Sequence, residues 1–206
     1  MGFKKIAVLV VLMLAFAAAP AAQAFDVGAL IGGNWASQNI SPAPANNPNA
    51  AAAGFGFGAY SNWTLVPLIL DLELDVLYLN NASSNSTANS TSNFSSLNIP
   101  LIARFSGLPI IAPGVGLMWS DFLGSIHSST AGTAGPDVTF SNAGLNTSNL
   151  SLVLSLGAKY AIGGGLNVVG EVNYDLGLSD LNNPAVTGAS NKLNNFMILA
   201  GVSFGL

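Results

Sequence analysis

The stretch that decides the fold is residues 68–78, which read Leu-Ile-Leu-Asp-Leu-Glu-Leu-Asp-Val-Leu-Tyr. Large apolar or aromatic side chains occupy every even position, and Asp71, Glu73 and Asp75 lie at odd positions between them. A helix would scatter these residues around its circumference, whereas a β-strand places them on two opposite faces. The stretch therefore predicts a strand with one apolar face and one acidic face.

The same two-residue alternation recurs along the chain. In residues 149–161 leucine alternates mainly with serine, and in residues 165–178 apolar side chains alternate with Asn, Glu and Asp. Each such run is long enough to cross a bilayer as a tilted strand, which takes about 9–11 residues. The pattern predicts eight strands, at 26–36, 52–63, 66–80, 94–106, 109–123, 149–161, 165–178 and 192–206.

The composition restricts where these strands can lie. Of the 206 residues, 50% are hydrophobic and only 7% are charged, against about 25% charged in an ordinary soluble domain. This scarcity, with a formal net charge of −4, disfavours a soluble enzyme and a nucleic-acid-binding protein. Past the N-terminal segment no apolar run is long enough for a transmembrane helix. A closed β-barrel remains, because it also pairs every backbone N–H and C=O within a bilayer.

The connections between the predicted strands alternate between long and short. The short ones lie near residues 63–65, 106–108 and 162–164, and the long ones lie at 37–51, 81–93, 124–148 and 179–191. Outer-membrane barrels have long extracellular loops and short periplasmic turns. The sequence therefore predicts an all-β fold, an eight-stranded antiparallel up-and-down transmembrane barrel with both termini at the short-turn end. A soluble lipid-binding barrel of lipocalin type, with the apolar faces turned inward, is the alternative.

The N-terminus has the features of an export signal. Lys4 and Lys5 precede an apolar segment at residues 6–16, and Ala22-Gln23-Ala24 matches a signal-peptidase site. This predicts a cleaved signal peptide at residues 1–24 and a barrel domain at residues 25–206 in the cell outer membrane; an uncleaved signal anchor is the alternative. The chain contains no cysteine, which excludes disulfides and a lipid-modified cysteine.

The last residues carry a second signal. Gly201, Phe204 and Leu206 have the spacing of the terminal assembly pattern of outer-membrane barrels. We therefore expect the C-terminal strand to be recognised by the barrel-assembly machinery.

Several segments together resemble the bacterial outer-membrane β-barrel family called PorT-like. They are the Gly-rich opening at 27–34, Asp75-Val76-Leu77-Tyr78, Leu97-Asn98-Ile99-Pro100-Leu101, Gly114-Val115-Gly116 and the segment Asn-Tyr-Asp-Leu-Gly-Leu at 173–178. They occur in the family's order over most of residues 26–206, with Asn173 in place of the family's usual arginine. The resemblance implies an integral outer-membrane protein without an established enzymatic activity or ligand.

The interior of an eight-stranded barrel is just wide enough for side chains to fill. We expect Arg104 to lie near Asp71, and Lys159 to lie within reach of Asn167 and Glu171, as structural pairs. The residues predicted to face inward include Gly28, Gly32, Asn34, Gly54, Gly56, Gly58, Asp71, Glu73, Asp75, Asn98, Arg104, Lys159, Asn167, Glu171, Asn173 and Asp175.

These features predict a structural or surface-interaction role with a side-chain-filled lumen. We expect no catalytic residue, cofactor or metal ligand, and we expect outer-membrane lipid and an unidentified extracellular or envelope partner. The alternative is a narrow passive, cation-preferring channel or small porin, in which Asp71, Glu73 and Asp75 line the path or bind a hard cation. A third hypothesis is an enzyme at the loop end that uses His127 with Asp121 or Asp137.

Overall fold

The alternation in the sequence becomes the two faces of a closed antiparallel sheet. The computed structural model describes residues 25–41, 49–85, 89–108, 110–182 and 190–206. The predicted signal peptide, residues 1–24, lies outside the described residues and remains a prediction. Among the described residues there is no helix of the length and apolar character needed to cross a membrane.

The described residues form eleven strands, of which three are short. β3 and β4 together make one barrel strand that is interrupted at Asp75, and β7 and β8 pair with β6 beyond the barrel wall. The strands are β1 (Phe25–Ser41), β2 (Asn49–Val66), β3 (Leu70–Leu74), β4 (Val76–Asn85), β5 (Ser90–Phe105), β6 (Ile111–Thr130), β7 (Thr133–Ala134), β8 (Val138–Thr139), β9 (Ser148–Gly163), β10 (Leu166–Gly177) and β11 (Ser190–Gly205).

The barrel closes between its first and last strands. Each long strand pairs antiparallel with the next along the chain, and β11 pairs with β1 from Asp26 opposite Gly205 to Ser41 opposite Ser190. The ring therefore contains eight strands, which confirms the predicted fold. Closure leaves no free edge in the barrel wall, so each of its eight strands has a hydrogen-bonded neighbour on both sides.

The outer face is apolar and the inner face holds the acids. Ile31, Phe57, Leu117 and Leu154 are among the many large apolar side chains exposed on the outside of the barrel. A water-facing protein rarely exposes so large an apolar area. This arrangement is opposite to that of a lipocalin-type barrel, so the soluble alternative is wrong.

Most strands extend beyond their predicted ends on the side of the long connections. β1 continues to Ser41, β4 to Asn85 and β6 to Thr130, and β5 begins at Ser90. These extensions are rich in Ser, Thr and Asn and lie beyond the apolar outer belt. Their backbone still pairs, but without an apolar face they carry no alternation that sequence analysis could detect. The predicted long loops are correspondingly shorter in the structure.

The first short turn is also displaced from its predicted place. It lies at residues 67–69 instead of 63–65, with the Ile69 N–H donating to the Val66 carbonyl at 3.0 Å. Pro67 precedes Leu68, whose φ is 62°, the order of a type II turn. Leu68 is therefore a turn residue and does not extend the apolar face of β3.

Three layers of side chains, two apolar and one polar, fill the lumen between the acidic residues and the long-connection end. The first, here called the apolar plug, is buried and comprises Leu30, Leu77, Leu79, Ile102, Met118, Val153, Met197 and Leu199. Next toward the long-connection end is a polar layer, in which Asn34 donates to Asn81 and Asn81 to Ser96, each at 2.9 Å. The third, the aromatic cap, comprises Ala36, Phe94, Phe122, Phe140, Leu181 and Leu193.

Candidate functional site

The interruption between β3 and β4 positions the acidic face inside the barrel. At this break the Ser61 hydroxyl donates to the Leu74 carbonyl, and the Asp75 N–H donates to the Pro100 carbonyl at 3.2 Å. The alternation survives the break, so that Glu73, Asp75 and then Leu77 all face inward. The predicted inward orientation of the acidic residues is confirmed.

Arg104 binds the acidic face through a buried, two-pronged ion pair. Its Nε donates to Glu73 Oε2 at 2.6 Å and its Nη2 donates to Glu73 Oε1. Nη2 also lies 3.4 Å from Glu171 Oε2, and Nη1 donates to the Ala112 carbonyl at 3.3 Å. The side chains of Arg104 and Glu73 are only 3% and 1% exposed, so this pair is almost fully buried.

The predicted neighbour of Arg104 needs a correction. Asp71 is opposite Arg104 in the β3–β5 ladder, as expected from the hairpin register. The guanidinium nevertheless pairs with Glu73, two residues further along, and with Glu171 of β10. A long side chain inside a tilted barrel reaches diagonally, so the register of backbones does not fix the ion pair.

Three carboxylates meet around this arginine. One oxygen from each of Glu73, Asp75 and Glu171 lies within 4.8 Å of the others, and all three residues are buried. Asp75 is 0% exposed, and neither of its carboxyl oxygens has a partner at hydrogen-bonding geometry. We call Glu73, Asp75 and Glu171 the lumenal acid cluster. Together they carry up to three negative charges, and Arg104 supplies one positive charge.

Neutral residues complete the surroundings of the cluster. The Asn173 amide donates to Glu171 Oε2 at 3.1 Å, and Asn173 in turn accepts from the Ser155 hydroxyl. Gly157 leaves the space that the guanidinium occupies, since a Cβ there would lie 2.7 Å from Arg104 Nη1. Both residues come from strands far from β3 in sequence.

A cavity leads to the cluster from the short-turn end of the barrel. Its volume is about 370 Å³ and its walls include Tyr60, Glu73, Arg104 and Glu171. Its mouth includes Pro67, Leu68, Leu108 and Ile110, which lie at or beside the short connections. The apolar plug lies on the other side of the cluster. The site is therefore a vestibule that ends blindly at the acids.

Lys159 pairs differently from the prediction. Its Nζ donates to Asp26 Oδ2 at 2.6 Å, and Asn167 Nδ2 approaches Asp26 Oδ1 at 3.4 Å; the expected pairing of Lys159 with Glu171 is wrong. Asp26 was not among the predicted inward residues, although its even position matches that of Gly28. It reaches Lys159 only because β1 closes against β11.

The loop-end residues considered for catalysis form one exposed pair. His127 Nδ1 lies 2.7 Å from Asp137 Oδ1, and the two side chains are 62% and 59% exposed. Asp121 takes no part in this pair. Because both side chains are solvent-exposed, this contact contributes little to stability.

The aromatic cap closes the opposite end of the lumen. Phe122 and Phe140 stack at 4.7 Å between ring centroids, and Phe94 meets both edge-on at 5.5 Å. Phe140 belongs to the segment between β8 and β9, so a long connection folds back over the barrel mouth. The sequence predicts this segment only as part of the long loop at 124–148.

The comparisons with known proteins agree with this architecture. The profile of the family described as "Outer membrane protein beta-barrel domain" matches residues 8–204. The chain therefore belongs to this family and is an outer-membrane β-barrel protein. No curated protein matches the sequence significantly.

Solved structures share the fold at low sequence identity. Neisserial surface protein A is 16% identical with a TM-score of 0.51, and the match covers 88% of this chain and 97% of that one. OprG from Pseudomonas aeruginosa is 11% identical with a TM-score of 0.52, over 90% of this chain and 96% of that one. At these identities the likeness extends to the fold alone.

Proposed function

We propose that this protein is a closed, non-catalytic barrel that serves the outer membrane as a structural or surface-interaction protein of PorT-like type. The observation that carries the proposal is the double seal of its lumen. The apolar plug fills the barrel above the acid cluster, and the aromatic cap covers the mouth beyond it.

The plug is dense enough to stop ions. Leu77 and Leu79 of β4 and Met197 of β11 are each 0% exposed. A cation crossing this layer would lose its hydration without gaining any polar partner, and such desolvation is very costly. The plug therefore closes the vestibule, which disfavours the alternative of a narrow cation-preferring channel.

The extracellular end offers the surface for a partner. The extended strands there carry Ser, Thr and Asn, and residues 131–137 between β6 and β8 are exposed. With few charges, this surface suits a partner bound by hydrogen bonds, in the extracellular medium or the envelope. Membrane lipid would cover the apolar belt below it.

Biogenesis follows from the two chain ends. Residues 1–24 would direct export and be removed, leaving Phe25 at the start of β1. Phe204 points outward from β11, the strand that closes the ring. This strand would be presented to the barrel-assembly machinery before closure.

Conductance in a planar bilayer tests the proposal. We expect the wild-type barrel to give no ohmic current steps in KCl. The double variant Leu77→Ser with Met197→Ser, which replaces two fully buried plug residues on different strands, should conduct because water can then enter the layer. Cation-selective steps from the wild-type protein would refute the closed barrel and favour the channel, which the acidic vestibule would then feed.

A further inference from the structure

We propose that the lumenal acid cluster binds one Ca²⁺ ion, which reaches it from the short-turn end. This inference concerns a site separate from the extracellular surface and goes beyond the function proposed above. It rests on the position of Asp75, on the charge balance of the cluster and on the vestibule.

The burial of the Asp75 carboxyl group points to a ligand. This carboxyl group is wholly buried, and the Ser61 backbone N–H lies near it but outside hydrogen-bonding geometry. One of its oxygens lies within 4.8 Å of oxygens of Glu73 and Glu171. A buried carboxyl group is paired with a cation, coordinates a metal or takes up a proton, and the test below separates these outcomes. Arg104 forms ion pairs with Glu73 and Glu171 but not with Asp75.

The net charge of the cluster and Arg104 favours a divalent cation. Three carboxylates and one guanidinium leave two negative charges uncompensated when all are ionised. Lys159, the other lumenal cation described here, is held by Asp26. An ion of charge +2 would neutralise the cluster, whereas a monovalent ion would leave one charge.

The irregular carboxylate set favours calcium over magnesium. Ca²⁺ binds oxygen ligands at about 2.3–2.6 Å in flexible geometry, whereas Mg²⁺ demands about 2.0–2.1 Å and a near-ideal octahedron. The three oxygens lie within 4.8 Å of one another, so small side-chain adjustments would bring all of them onto one cation, and the flexible geometry of Ca²⁺ tolerates such an unequal set of ligands. Water in the vestibule can supply further ligands, and the route from the short-turn end passes Glu73 and Glu171, which line the cavity.

The test uses the full-length barrel purified from membranes, reconstituted in nanodiscs and stripped with EDTA. Tb³⁺, a luminescent substitute for Ca²⁺, is added, and tyrosine is excited because Tyr60 lines the same cavity. We expect saturable luminescence that Ca²⁺ displaces, and a rise in the melting midpoint with about 1 mM Ca²⁺, a concentration at which extracellular calcium modules fill. Mg²⁺ should displace Tb³⁺ more weakly, and an equal effect of Mg²⁺ would overturn the preference for calcium.

Two matched variants separate binding from folding. Asp75→Asn keeps the shape and should weaken Tb³⁺ and Ca²⁺ binding by more than about tenfold. Asp175→Asn is the control, because Asp175 is equally buried and unpartnered but lies outside the cluster; it should bind like wild type. Heat-modifiable gel mobility verifies folding, and if Asp75→Asn does not fold, Glu171→Gln takes its place.

The inference is overturned if the wild-type protein shows no calcium-dependent change in luminescence or melting. It is overturned equally if Asp75→Asn binds as tightly as Asp175→Asn. The first result would mean that protons neutralise the cluster. Neither result bears on conductance, so the closed-barrel function is tested separately.

Discussion

Replacing Arg104 by Gln should be the most destabilising single change in the vestibule. The substitution removes two charge-assisted hydrogen bonds to Glu73 and leaves Glu73 and Glu171 buried without a cation. Breaking a buried ion pair by removing one partner costs about 3–5 kcal/mol, because the remaining charge stays uncompensated. We therefore expect the free energy of unfolding of Arg104→Gln to fall by about that amount.

Lys159→Gln provides the matched control. It also removes one lumenal cation from an ion pair, but the Lys159 side chain is 43% exposed. The Asp26 side chain left behind is only 10% exposed, but it keeps the Asn167 amide 3.4 Å away and the half-exposed Lys159 opens onto solvent, so the loss should be smaller than for Arg104→Gln.

Urea unfolding in lipid vesicles, followed by tryptophan fluorescence in EDTA, measures both variants. EDTA keeps bound metal from compensating for the lost guanidinium. Equal losses in the two variants, or a loss below about 1 kcal/mol for Arg104→Gln, would refute the idea that burial makes this pair critical.

Three further outcomes are expected. Gly157→Ala should lower the free energy of unfolding by about 1–3 kcal/mol, as overpacking does, because the new methyl group meets the buried guanidinium of Arg104. Gly170→Ala is the control: a Cβ there would lie 3.8 Å from its nearest neighbour, so this variant should be neutral in the same urea assay. Leu77→Ala should cost about 2–5 kcal/mol through a cavity in the plug, and a loss no larger than for Gly170→Ala would contradict the dense layer. The Asp180 carboxylate accepts the Asn191 N–H at 2.9 Å, which lowers its pKa. The stability that this hydrogen bond contributes is present above the unfolded pKa of Asp180, about 3.9, and is lost as pH falls through the lower pKa of the folded state. Protection of the Asn191 amide from hydrogen exchange should therefore drop in acid. In Asp180→Asn it should not drop.

The position of the strand faces could be predicted because alternation is a local property. Residues 68–78 assign their side chains to two faces whatever the rest of the chain does, and the acids did turn inward as predicted. Leu77 and Leu79 follow Asp75 at the same parity, so the plug was also readable in principle. Whether these side chains form a plug depends on apolar residues that other strands bring to the same level of the lumen, such as Ile102 and Met197.

Strand ends in the polar region were not predictable in the same way. The extensions of β1, β4, β5 and β6 have no apolar face, so their side chains alternate no more than those of a loop. Only hydrogen bonding to the neighbouring strand holds them, and that depends on the whole sheet. The cap formed by Phe140 likewise depends on how a long connection folds over the mouth.

The sequence by itself determined that this chain is an eight-stranded outer-membrane barrel with acids inside, because composition and a period of two are set residue by residue. The tertiary structure alone decided which acids meet. Closure brings Glu171 of β10 to Arg104 of β5, and Asp26 of β1 to Lys159 of β9. Strand tilt sends Arg104 past its register partner Asp71 to Glu73. Contacts across a lumen depend on that closure and tilt, which no local pattern records.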